Sequence, residues 1–424
     1  MSSSQLPPSL LPDSSEVLES DVLVGGVSLL KLAQDFGTPL FVYDEATLIS
    51  RLQEAARVFD DGVAFASKSF LCGAMAKLAV ANGLCVDVAT DGELDIVLRA
   101  GVDPQRIVVH GNNKSEGEIL RAIEIGVHRL VVDSFDEIDK IRRLLRPEQA
   151  LSCLVRVTPG IEAHTHEFVR TGQEDSKFGF SISSGDARRA INALQGIPGV
   201  LLHGVHAHIG SQIFDTIGFQ EELKVLIEFT KGDRFSELCI GGGLGVAYVE
   251  GESAPSIEEW GAMVRSTAAQ LGLDSSVKLT AEPGRAIVAQ AGMTLYEVGT
   301  VKELAMRTYV AVNGGMSDNP RPVLYGSGYE AFDVSRPLAP RPREVRIVGK
   351  HCESGDVLVD QAWLPIETGV GDIISTPVTG AYGYSMASNY NRVPRPAVVF
   401  VKDGLARLVL RRETLDDLAN LEVE

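Results

Sequence analysis

Between about residue 46 and residue 288 the chain alternates short apolar runs with stretches whose apolar positions recur at helical spacing. From Ala46, the residues Leu48, Leu52, Ala55, Ala56 and Phe59 fall on one face of a helix. An apolar run at 63–66 follows, and further runs at 84–89, 107–110, 130–133, 153–157, 201–209, 238–240 and 277–281 predict seven more strands. Helices are predicted between them near 73–81, 92–100 and 116–125. Two more start at Ser134-Phe-Asp-Glu137 and Ser256-Ile-Glu-Glu259, both read as capping boxes. The count is eight strand–helix units.

On either side of this region the texture differs. Residues 1–21, rich in Ser and Pro, read as a flexible tail. Residues 22–45 read as a segment with a short helix from Ser28, closed by Gly37, and a strand at 39–43 that pairs with a later β domain. From 289 to 424 alternating stretches such as Met293-Thr-Leu-Tyr-Glu-Val and Ala397-Val-Val-Phe-Val, separated by Gly/Pro turns, predict a C-terminal mostly-β domain.

Eight short parallel strands with helical crossovers fit a (β/α)8 barrel over 46–288, with a doubly wound sheet as the competing architecture. Lys68, Asp87, His110, Arg156, His208, Gly241–Gly243 and Glu282 fall at or near the ends of successive strands. In a barrel those ends converge on one mouth, which favours the barrel.

The formal net charge of -18 argues against a nucleic-acid backbone or an anionic membrane as partner. Five cysteines without CxxC spacing, and no signal peptide or membrane-length apolar run, predict a cytoplasmic protein.

A lysine that ends a buried strand calls for an explanation. Lys68 in Phe-Ala-Ser-Lys68 is either a lysine reaching for solvent or an amine tuned to form a Schiff base. Ile240-Gly-Gly-Gly-Leu-Gly245 is either a tight turn or a nest for an anion, at the seventh strand where barrels often bind phosphate. In Glu282-Pro-Gly-Arg285 the arginine suits a phosphate or carboxylate, and the glutamate suits a cationic ring nitrogen. His206-Ala-His208 puts two histidines on one strand face. A third metal ligand is missing at compatible spacing, so a core histidine or a ring stacked on an aromatic ligand is preferred. Cys352, beside Glu353, is either a buried thiol or a proton donor.

Taken together, these motifs resemble the barrel-fold pyridoxal-phosphate enzymes of the alanine racemase and ornithine decarboxylase type, and within them the diaminopimelate decarboxylase family. The resemblance runs from about Gly25 to about Asp403, with widely separated motifs in the family's order. These are Phe-Ala-Ser-Lys68, His-Gly-Asn-Asn-Lys114, Thr-Pro-Gly-Ile-Glu162 with His164-Thr-His166, Ser-Lys-Phe-Gly179, His206-Ala-His-Ile-Gly-Ser-Gln212 and Glu-Pro-Gly-Arg285. Phe65 stands where a tyrosine is usual, and Ser69 where an alanine is.

The resemblance implies pyridoxal 5'-phosphate as cofactor. It places Lys68 as the Schiff-base lysine, His208 stacked on the ring, Ser211 with Gly241, Gly242 and Gly243 at the phosphate, Arg285 nearby, and Glu282 at the pyridine nitrogen. It also implies that Arg285, Arg321, Tyr325 and Glu353 hold the far end of meso-diaminopimelate, that Tyr382 touches the cofactor, and that Cys352 donates the proton. The expected reaction is decarboxylation to L-lysine and CO2, in a homodimer where Cys352 and Glu353 enter the partner's site. A related decarboxylase for another carboxylated amino acid, an amino-acid racemase and a catalytically dead binding homologue are the rival readings. Retention of Lys68 argues against the last.

Overall fold

The computed structural model describes residues 8–161 and 176–423. The chain divides into two units, one of Arg51–Val246 with Ala254–Ala286, the other of Met1–Ser50, Ala247–Ser253 and Ile287–Glu424.

In the first unit eight parallel strands make the main sheet: Ala64–Ala66, Cys85–Val88, Ile107–Val109, Arg129–Val132, Leu151–Thr158, Val200–His206, Glu237–Cys239 and Lys278–Thr280, with the short strand Phe180–Ser181 paired in parallel to Leu151–Thr158 alone. Each of the eight pairs with the next in chain order. A doubly wound sheet would reverse direction at a switch point; here the order never reverses. The N–H of Ala64 donates to Ala281 O at 3.0 Å and that of Ala66 to Pro283 O at 3.1 Å, which brings the first strand back to the eighth. The sheet is therefore a barrel.

Its interior is filled by side chains. Ala64, Cys85, Val108, Val131, Leu154 and Cys239 form one buried cluster, drawn from six different strands. Burial pushes the Cys85 thiol up to about 11 and raises Cys153 and Cys239 as well, so these cysteines act as small apolar residues. The helix caps depart from expectation in one place. Ser256 and Glu259 bond reciprocally at the start of Ile257–Gln270. Ser134 caps Phe135–Leu144, but the Glu137 carboxylate accepts from Asp133 N–H and pairs with Lys114 at 2.8 Å, so the box is only half formed. The buried Lys114 ammonium is the stronger claimant for that carboxylate.

The second unit is built on a sheet running Val357–Leu364, Arg343–Val348, Thr308–Val312, Gly292–Glu303, Leu40–Asp44, Ala397–Lys402 and Leu405–Leu410. Leu40–Asp44 is fully buried, antiparallel to Gly292–Glu303 and parallel to Ala397–Lys402.

Residues 8–21 correct the expectation of a flexible tail. Pro8–Leu10 forms a helical turn, and Glu16–Val17 begins a three-stranded sheet with Val22–Val24 and Val27–Ser28. Leu10 is 1% exposed, and Leu11 belongs to the same apolar core as Leu40 and Leu295. Two adjacent leucines in a polar, Pro-rich stretch are enough to anchor it.

Candidate active site

Lys68 does not continue the first strand. It is the middle residue of a single 3-10 turn, Ser67–Ser69, just past Ala66. The turn is pinned on both sides, because Ser69 Oγ donates to Ala66 O at 2.8 Å and Ser67 N–H donates to Asp87 Oδ1 at 3.2 Å. Both serines are buried while Lys68 is exposed, and its ammonium has no hydrogen-bond or ion-pair partner among the described residues. Its charge acts on Asp87 and His208. Burial, reinforced by the Glu282 charge, raises the Asp87 carboxyl well above its usual range despite the pull of Lys68. Desolvation, with Lys68 and Arg156 adding to it, holds the His208 imidazole well below its ordinary value.

Glu282 follows the eighth strand and is 9% exposed, with both oxygens engaged. His110 Nε2 lies 2.8 Å from Oε1, and His206 Nε2 lies 3.0 Å from Oε2. Burial alone would raise this carboxyl, but the two histidines overcome it and keep it well below the usual range. Burial lowers His206 to about 4 against the opposing pull of Glu282, so at neutral pH a neutral ring donates to an ionised carboxylate. His110, His206 and Glu282 each place a ligand atom within 4.8 Å of the others, a third metal-capable group that the spacing of residues 206 and 208 does not reveal. Their contacts at 2.8 and 3.0 Å are hydrogen bonds.

The sequence expectation of two histidines on one strand face does not hold. The sixth strand ends at His206, and His208, beyond it, accepts the Gly242 N–H on Nδ1 at 3.2 Å. A Cβ on Gly241, Gly242 or Gly243 would lie 2.4, 2.2 and 2.3 Å from the carbonyl oxygens of Ala207, Glu282 and Gly210. These close backbone approaches leave no room for a side chain at the three positions. Beside them the Arg285 guanidinium donates to Ser211 Oγ at 2.9 Å, putting a hydroxyl and a buried cation together.

The barrel unit thus collects Lys68, His208, Ser211, Gly241–Gly243, Glu282 and Arg285 at the carboxyl ends of its first, sixth, seventh and eighth strands. An exposed amine, an ionised carboxylate and a hydroxyl–guanidinium pair match the three chemical demands of pyridoxal phosphate: an aldehyde, a ring nitrogen and a phosphate.

The other predicted residues lie in the second unit. Arg321 and Tyr325 share the short helix Arg321–Tyr325. Arg321 is 4% exposed, donates to the Tyr329 hydroxyl at 2.6 Å and to Ser327 Oγ at 3.1 Å, and lies 4.0 Å from the Tyr248 ring centroid. Tyr382 is half-buried and has a left-handed φ of 59°, a conformation that needs surrounding structure to hold it in place. Two residues before it, Gly380 approaches so closely that a Cβ would lie 1.9 Å from Val288 O. Cys352 and Glu353 are exposed on a loop. Asn391 Oδ1 accepts the Cys352 N–H at 3.1 Å, and Asp356 accepts the His351 N–H at 2.8 Å. Glu162, His164 and His166 lie outside the described residues.

Sequence reasoning assigned no role to the histidine partners of Glu282 or the tyrosines around Arg321. Strand-end position flags His110, and motif membership flags His206; nothing local flags Tyr248 or Tyr329.

Residues 45–289 match the family described as pyridoxal-dependent decarboxylase, pyridoxal binding domain. The chain is similar to diaminopimelate decarboxylase of Mycobacterium tuberculosis H37Rv, with 46% identity over 424 residues and 95% of each chain covered. Diaminopimelate decarboxylase of Bacillus subtilis 168 is 44% identical over 417 residues, with 94% of each covered. Among solved structures, that of diaminopimelate decarboxylase from M. jannaschii with L-lysine has a TM-score of 0.89 at 31% identity, covering 97% of this chain and 98% of that one. With a parallel barrel, a donor set suited to pyridoxal phosphate and relatives this similar over nearly full length, the chain belongs to the pyridoxal-dependent decarboxylases.

Proposed function

We propose that the chain converts meso-2,6-diaminopimelate to L-lysine and CO2 with pyridoxal 5'-phosphate, with Lys68 as the amine that binds the cofactor. The observation that carries the substrate assignment is Arg321, a buried guanidinium without a carboxylate partner among the described residues. A second carboxylate on the substrate would complete it. Ornithine and lysine have none, and would leave the charge unmatched at a cost of about 1.5–3 kcal/mol.

When bound, pyridoxal phosphate supplies an aldehyde that captures the substrate amine and a ring that accepts the electron pair left by CO2. The chain's residues do the rest. Lys68 provides the covalent hold, on a turn whose two serines are fixed. Glu282, kept ionised by its histidines, holds a proton on the ring nitrogen. His208 would lie against the ring, and the Gly242 N–H donates to its Nδ1 at 3.2 Å. Ser211, Arg285 and the adjoining glycine turn hold the phosphate; Arg321, Tyr325, Arg285 and Glu353 hold the distal end of the substrate. Tyr382 lines the cofactor. The bond from the α-carbon to its carboxylate breaks as CO2 leaves, and Cys352 Sγ would donate the proton that takes its place on that carbon. Solvent then reprotonates the thiolate. A thiol suits this step because its reference pKa of ~8.5 is within reach of neutral pH.

The working form is a homodimer in which Cys352 and Glu353 serve the partner's site. Their exposure, on a loop held by the Asp356 and Asn391 side chains and by the His351 ring, supports this reading. The five unpaired thiols support a cytoplasmic setting. Among the described residues no helix is long and apolar enough to cross a membrane.

The substrate assignment is tested by incubating the holoenzyme with meso-diaminopimelate, L-lysine and L-ornithine and quantifying CO2 and amine products. Stoichiometric CO2 and L-lysine from diaminopimelate alone is expected. Equal turnover of ornithine, or racemisation without CO2, would refute it.

A further inference from the structure

Among the described residues, Arg321 is held by neutral groups alone. Its Nη1 donates to the Tyr329 hydroxyl at 2.6 Å and its Nη2 to Ser327 Oγ at 3.1 Å, while its central carbon lies 4.0 Å from the Tyr248 ring centroid. Tyr248 and Tyr329 pack edge to face, with centroids 5.3 Å apart at 82°, and each is 3% exposed. A hydroxyl or an aromatic face stabilises a guanidinium without neutralising it. A carboxylate in the same place would cancel the charge and compete with any incoming anion. The two tyrosines come from distant parts of the chain, one just after the glycine-rich turn and the other just after the Arg321–Tyr325 helix, so their convergence on one guanidinium is a tertiary feature.

We infer that Tyr248 and Tyr329 are specificity-determining positioning residues, which orient Arg321 and leave its charge available for the distal carboxylate of the substrate. This rests on the role of Arg321 proposed above. Tyr248 acts through its ring face and Tyr329 through its hydroxyl. The two positions therefore respond oppositely to phenylalanine, a pattern that simple core packing does not produce.

The test is competitive binding to the holoenzyme of L-lysine, which retains the distal carboxylate, against 1,5-diaminopentane, which lacks it. The readout is the preference for L-lysine. Tyr329→Phe keeps the ring and loses the hydrogen bond, and is expected to lower that preference roughly fivefold. Tyr248→Leu is expected to lower it by about as much, and Tyr248→Phe to restore it. Because Tyr329→Phe is nearly isosteric, it carries the test even if Tyr248→Leu folds poorly. Arg321→Ala is the separate control for the underlying assignment. If it erases the preference while Tyr329→Phe and Tyr248→Leu keep it at the wild-type level, the positioning inference is overturned and the Arg321 assignment stands. A wild-type preference in Arg321→Ala would overturn the assignment itself.

Discussion

The barrel cluster and the Cys352 loop present their reactive groups in opposite ways. In the barrel, Glu282 has both oxygens bonded, Arg285 holds Ser211 and His208 holds Gly242, all among side chains and backbone of one unit. In the loop the fixed parts are the backbone and the His351 ring. Asp356 takes the N–H groups of Met316 and His351, His351 Nε2 lies 2.8 Å from Ser317 Oγ, and Asn391 takes the Cys352 N–H, while the Cys352 and Glu353 side chains remain exposed. The barrel sets protonation states by burial and neighbouring charge, whereas the loop sets a position and leaves the chemistry of its side chains to whatever they meet. The first arrangement suits the cofactor site proposed here, and the second suits the proton donor to another copy that is proposed for Cys352.

The sharpest way to break this contrast is Cys352. Cys352→Ala and Cys352→Ser should each lower steady-state L-lysine formation by roughly 10²–10⁴-fold, while a single turnover still releases CO2 and cofactor content is unchanged. If the loop serves the partner's site, mixing Cys352→Ala with Lys68→Ala should restore activity, since each mixed dimer has one site with both residues intact. Verified mixed dimers without recovered activity would place both residues in the site of one chain.

Next in size is Arg321→Ala, expected to raise KM for diaminopimelate about 10- to 100-fold with cofactor binding intact. Loss of cofactor instead would show that the second unit controls the barrel site and would erase the distinction.

The smallest effect is on stability. His128, His203 and His206 are lowered to about 4 by burial, against about 6.5 in an unfolded chain. Between those values the unfolded chain binds more protons, so stability is fully present above pH ~6.5 and falls as the solution is acidified toward pH ~4. His206→Gln keeps an N–H donor for Glu282 but does not titrate. Holoenzyme melting temperatures should fall less steeply over this range in the variant; an unchanged slope would mean that His206 does not contribute to it.

Much of the architecture was legible because buried parallel strands are short apolar runs, and the polar residues ending them stood out. The exact course at those ends was not. Lys68 sits on a 3-10 turn and His208 beyond its strand, because local hydrogen bonds from Ser69 and Gly242 decide the backbone there. Partners across the barrel were also hidden, with 172 residues separating His110 from Glu282 and 76 separating His206 from it. The N-terminal segment misled for the opposite reason, since its polar composition outweighed Leu10 and Leu11, whose burial depends on a core built from residues far along the chain.

The central claim is that Lys68 carries the cofactor, and borohydride reduction of the holoenzyme followed by peptide mapping tests it most directly. The account predicts a stable pyridoxyl group on the peptide containing Lys68, and none on Lys114, whose buried ammonium is bonded to Glu137 at 2.8 Å and to two backbone carbonyls. A reduced protein carrying the label on any other lysine, or no label at all, would contradict it.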